Sequence, residues 1–175
     1  MKKTLLIIVL IIISYLMLGN FFSEKIIIPD EAIRIRVIAN SDSDYDQKIK
    51  LEVKNELEKE MKNIYKETED INSFRTKILD SLNIFEKDIE KVLEINDYPL
   101  LFDIKYGLNY FPQKRFKGVT YNEGYYESLV VTLGEGLGEN WWCVLFPPLC
   151  LIEASDSTDI EYTTMVKEVL NKYFK

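Results

Sequence analysis

The sequence predicts an α+β fold: a largely antiparallel sheet of about four strands with helices packed on one face, following an N-terminal apolar segment. Two observations carry this. Helix and strand signals come in runs rather than strict alternation, which favours segregated helices over a doubly wound parallel sheet. The stretch from Glu31 to Tyr98 has no glycine or proline, whereas Tyr98 to Phe146 holds twelve of the 22 aromatics and six of the seven glycines, a composition suited to strands joined by tight turns.

The elements follow in order. Lys2 and Lys3 precede Leu5 to Leu18, in which only Ser14 is not apolar. This is the pattern of a secretory signal or, with Phe21 and Phe22 included, of a marginal membrane anchor. The expected division is a signal peptide or signal anchor over 1–23 and an exported globular domain over 24–175, with the basic start retained in the cytoplasm. If uncleaved, the segment would hold the protein to the membrane.

Ile33, Ile35 and Val37 alternate with Arg34 and Arg36, as in a strand with one wet face. Ser41 with Asp44 and Ser43 with Asp46 then offer two overlapping helix caps. Two helices fit the next region. Tyr45, Ile49, Val53, Leu57, Met61 and Ile64 share one helical face, and Ile71 through Phe74, Ile78, Leu82, Phe85 and Ile89 to Val92 share another. Alternation around Phe102 to Tyr106, Leu129 to Leu133 and Trp141 to Phe146 gives three further strands, and Thr158 with Glu161 caps a last helix through Tyr173.

Composition narrows the chemistry. The chain has no histidine, which removes Ser-His-Asp and Cys-His nucleophile pairs and imidazole metal ligation. Its net charge is −7, and Lys114, Arg115 and Lys117 form the one short basic stretch after the N-terminus, read as a solvated loop, so nucleic acid is not expected as a partner. Asp42, Asp44 and Asp46 imitate the opening of a calcium loop, but Gln47 and Val53 stand where that loop needs Gly and Glu; helix capping accounts for them. Gly134-Glu135-Gly136-Leu137-Gly138 is followed by Trp141 and Trp142 rather than a helix, against a dinucleotide fingerprint. None of Asp103, Glu127 or Glu135 stands out as a catalytic acid. No catalytic residue, metal or cofactor is assigned.

Cys143 and Cys150 are the only cysteines, and an exported pair is expected to be bridged. A bridge requires the chain to reverse between them, which makes Phe146-Pro147 a candidate cis peptide; a wider trans loop is the alternative. Adjacent Trp residues on a strand point to opposite faces, so one indole is expected outside, on a partner or under a neighbouring helix or loop.

Ile35 to Ser43, Glu127 to Val131 ahead of Gly134-Glu135-Gly136, and above all Asn140-Trp141-Trp142-Cys143-Val144-Leu145-Phe146-Pro147-Pro148-Leu149-Cys150 resemble the stage II sporulation protein R family of endospore-forming bacteria. The resemblance implies an exported signalling protein and no enzyme. It would be made in the forespore, would enter the space between the two membranes around it, and would activate a membrane-embedded aspartic protease of the mother-cell membrane that processes the sigma E precursor. Trp141, Trp142, Gly138 and Asn140 are the expected contact residues for that partner, with Asn40, Ser41 and Asp42 as a second group. The alternative is an extracytoplasmic cell-wall-acting enzyme or sugar-binding module, in which aromatic faces would stack on sugars.

Overall fold

The computed structural model describes residues 7–8, 26–99, 101–151 and 158–174. The apolar segment at 1–23 therefore lies outside the described residues except for Ile7 and Ile8, which are helical and exposed. Among the described residues no helix is long and apolar enough to cross a membrane.

The elements are β1 (Ile26–Ile27), β2 (Ile33–Ile38), α1 (Asp44–Lys66), α2 (Ile71–Asp80), α3 (Leu82–Ile95), β3 (Phe102–Phe111), β4 (Lys114–Phe116), β5 (Val119–Tyr121), β6 (Gly124–Leu133), β7 (Asn140–Phe146), a 3-10 turn (Leu149–Leu151) and α4 (Asp159–Tyr173). The main sheet has the order β3-β6-β2-β7. It is antiparallel at β3/β6 and β2/β7 and parallel at β2/β6, so the α+β class with a mostly antiparallel four-stranded sheet is borne out.

Alternation builds the core on the helical side. Ile33, Ile35 and Val37 of β2 join Leu129, Val131 and Leu133 of β6 against Ile49, Val53 and Leu57 of α1, Phe74 and Ile78 of α2, and Phe85 and Ile89 of α3. Full burial of each such side chain stabilises by roughly 1.5–3 kcal/mol relative to exposure. Helix α1 begins where expected: the Ser43 hydroxyl accepts the Asp46 N–H and fills one of the helix's free donors. Both halves of the Thr158–Glu161 capping box form at the start of α4.

The sequence differs from the structure at three places. The helix expected from Ile71 to Val92 is two helices, because Ser81 ends α2 with bonds to Lys77 and Ile78 carbonyls while its own carbonyl receives the Ile84 and Phe85 N–H groups that open α3. The change of axis leaves Phe74, Ile78, Phe85 and Ile89 all buried on one sheet.

A second sheet, β1-β5-β4, has no counterpart in the elements the sequence predicts. It contains Lys114 and Arg115, read from the sequence as loop, and it lies over the opposite face of the main sheet. There Ile26, Ile28, Val119, Tyr121 and Val144 meet Tyr162 and Val166 of α4 in a separate cluster. The same layer corrects the third expectation, that Arg34 points to water: Arg34 is fully buried.

Candidate functional site

Two neighbouring features collect the residues singled out from the sequence. The first is a junction between the loop after β2 and the loop before β7. The Asn40 side chain accepts the Glu135 N–H at 3.0 Å, its carbonyl accepts the Leu137 N–H at 3.0 Å, and Asp42 Oδ1 accepts the Glu139 N–H at 2.6 Å. Gly138 is required for this approach, since a Cβ there would collide with the Ser41 carbonyl, while its N–H donates to Ala39 at 3.0 Å. From α1, Lys50 Nζ donates to the Glu139 carbonyl at 3.1 Å, and the Gln47 amide donates to the Ser41 carbonyl at 2.9 Å.

Asp46 gathers the other side of the junction. Its carboxylate accepts from Asn40 Nδ2 at 3.0 Å, from the Ser41 hydroxyl, and from the Tyr98 hydroxyl at 2.8 Å. Burial pushes the Asp46 carboxyl up, but the bonds from Ser41, Asn40, Tyr98 and Ser43 outweigh it and hold the group below its ordinary range. The structure thus brings Asn40, Ser41, Asp42 and Gly138 together and gives each a bond or a close packing contact within the chain.

The second feature is β7, which among the described residues pairs with β2 alone. Trp141 packs on the helical-side core and Trp142 on the opposite cluster, and both are half-buried. Neither indole stands free: Lys54 Nζ lies 5.2 Å from the centre of the Trp141 ring and Lys114 Nζ lies 5.3 Å from that of Trp142. Trp142 also meets Tyr121 edge-on at 5.2 Å. A groove of ≈ 470 Å³ follows this strand, lined by Asn140, Trp141 and Trp142, by Lys54 and Glu58 of α1, and by Lys114, Phe116, Tyr121 and Tyr162 on the other wall.

Cys143 and Cys150 are bridged, with Cα atoms 5.7 Å apart, and the Phe146–Pro147 bond is cis. The reversal seats Cys150 Sγ 3.0 Å from the Val144 carbonyl oxygen, and Cys143, Leu149 and Cys150 complete the lining of the groove.

Sequence reasoning missed Lys54, Lys114, Tyr121, Tyr162 and above all Arg34. The Arg34 guanidinium lies 3.3 Å from the centre of the Tyr126 ring and 5.9 Å from that of Trp142, and none of its three nitrogens has a hydrogen-bond partner. Burial pulls its pKa down, partly offset by Tyr126, Tyr121 and Asp30. An arginine alternating with apolar residues reads as solvent-facing unless a covering layer is known. Glu127, one of the acids considered for catalysis, is held by Arg75 through two bonds of 2.6 and 2.7 Å and accepts the Tyr106 hydroxyl at 2.7 Å. The bond from Arg75 is the main reason its carboxyl sits below the ordinary range. No cluster of three or more Cys, Asp or Glu able to hold a metal occurs among the described residues.

These features describe a small α+β protein with an aromatic, lysine-flanked groove along one edge of a mixed sheet. A family model described as stage II sporulation protein R matches residues 29–156. The chain is 34% identical over 139 residues to stage II sporulation protein R of Bacillus subtilis (strain 168), covering 79% of this chain and 62% of that protein. The chain belongs to the stage II sporulation protein R family. It spans less than two thirds of the length of that relative. No solved structure matches.

Proposed function

We propose that this protein is an exported sporulation signal that activates a membrane-embedded aspartic protease in the mother-cell membrane and so leads to processing of the sigma E precursor. Membership of the stage II sporulation protein R family is the observation that carries the reading. The groove beside Trp141 and Trp142 and the junction around Gly138 and Asn40 to Asp42 supply a surface for a protein partner. The Asn140-to-Cys150 block that builds much of this surface lies within the matched residues. The N-terminal apolar segment serves export, and the domain acts between the two membranes. It holds the membrane itself if the segment stays uncleaved.

The sugar-binding alternative has one feature in its favour, the aromatic lining of the groove. Against it, each indole already carries a lysine, and Glu58 is the only carboxylate among the described lining residues, where glycoside hydrolysis ordinarily uses two facing acids. The test is reconstitution in a non-sporulating host: the exported chain, the protease and the sigma precursor are co-expressed, and cleavage is followed. Cleavage that requires this chain and survives Glu58→Gln supports signalling. No cleavage with all three partners present and folded would overturn it.

A further inference from the structure

We propose that the outer edge of β7, from Asn140 to Cys143, takes up an extended acidic segment of the receptor by strand addition. The proposal rests on the signalling reading and names how its partner is held.

The two edges of the main sheet are built differently. The β3 edge carries Asp103 and Lys105, paired at 2.7 Å, the kind of charged surface that discourages unwanted pairing. The β7 edge, Asn-Trp-Trp-Cys-Val-Leu-Phe, carries no charge at all. Its protection is the pair of walls around it: α1 with Lys54 on one side, and β4, β5 and Tyr162 on the other. Such a groove admits a chain edge-on while excluding a flat sheet. Beyond Cys143 the returning chain lies against the strand, with Cys150 bridged to Cys143 and its Sγ 3.0 Å from the Val144 carbonyl oxygen. Four strand residues remain, so the edge accepts a segment of about four residues, ~13 Å at 3.3 Å per residue.

Charge selects the occupant. Arg34 and Arg36 alternate on the face of β2 that Trp142 shares, Arg36 being the direct cross-strand neighbour of Trp142. Lys114 lies over the same indole. No ion pair joins Arg34, Arg36 or Lys114 to a carboxylate among the described residues; Asp30, exposed, is the acid whose field reaches Arg34. In a chain of net charge −7, Lys114 over this indole, with Arg36 on the neighbouring strand and the buried Arg34 beneath, forms a local reversal of sign. An acidic strand segment meets it, with its backbone on β7 and a carboxylate toward Lys114.

The groove contains both tryptophans of the chain, so intrinsic fluorescence reports its occupancy directly. Capped synthetic peptides tiled over the extracytoplasmic segments of the protease would be titrated into the full chain in detergent. Each binder would be remade with N-methyl groups at alternate residues, first in one register and then in the other. The expected result is a saturable change in emission with acidic peptides. N-methylation in one register and Lys114→Glu should each weaken binding by at least about tenfold, with the thermal transition of the variant retained.

Binding indifferent to N-methylation in both registers overturns strand addition. So does a full set of peptides that leaves the emission unchanged while the chain still drives cleavage in the reconstituted system. N-methyl-sensitive binding without cleavage would leave the edge site standing and sink the signalling reading instead.

Discussion

The Tyr98 hydroxyl donates to Asp46 Oδ1 at 2.8 Å, which ties the segment leaving α3 to the first turn of α1. The same carboxylate holds Asn40 and Ser41, so one acidic side chain links a helix start, a helix end and the loop beside the candidate site.

The folded-state pKa of Asp46 is lowered, so its contribution is fully present above the unfolded value of about 3.9 and is lost as pH falls through the folded value. Asp46→Asn is expected to lower stability at pH 7 by about 1.5–3 kcal/mol, the range for hydrogen bonds to a charged group. It should also flatten the acid limb. Urea unfolding from pH 2 to pH 7 checks this; an unchanged acid limb would mean that other carboxylates control it.

Gly138→Ala is expected to cost about 1–3 kcal/mol, the range for inserting a methyl group where no space exists, because the new Cβ meets the Ser41 carbonyl. Leu137→Ala, one residue earlier and exposed, should stay within about 0.5 kcal/mol of the parent. Denaturant midpoints of the two variants separate a backbone contact from general loop sensitivity.

Arg34→Met should hold or raise the thermal midpoint. It removes a fully buried guanidinium whose nitrogens are unpaired, and replacing buried charge by an apolar chain of similar length is often neutral or stabilising by about 1–4 kcal/mol. The lost stacking on Tyr126 offsets part of the gain. A clear fall in the midpoint would show that the aromatic box needs the cation for stability.

Replacing Cys143 and Cys150 together by Ser should lower stability by about 2 kcal/mol, the loop-closure contribution for so short a ring. Thiol titration of the unfolded parent, with and without reductant, checks the premise: two reactive thiols without reductant would remove the bridge from the account.

Much of the fold is legible because periodicity is a local property. Ile33 to Ile38 alternates and forms β2 over that span, and Ser43 stands where a helix cap belongs and serves as one. Ser81 carries no such signal, since neither Gly nor Pro marks the change of axis and the apolar spacing continues through it. Strands β1, β4 and β5, of two or three residues each, are too short to show a period. Without the layer they form, an arginine that alternates with isoleucines reads as solvent-facing, whereas Arg34 is buried beneath it. In the candidate site, the Trp-Trp-Cys block is conspicuous along the chain, but Lys54 and Lys114 reach it only through tertiary packing.

The middle of the sheet has a consequence for synthesis. Ile35 of β2 lies between Leu129 of β6 and Cys143 of β7, both made long after it. A ribosome that has finished α3 has produced α1, α2, α3 and one inner strand with no sheet neighbour for their apolar faces, so the growing chain carries sticky surface until β6 and β7 emerge. Such long-range pairing slows folding and invites aggregation in partly made chains. Chains cut short before β7 should therefore leave no stable sub-domain behind.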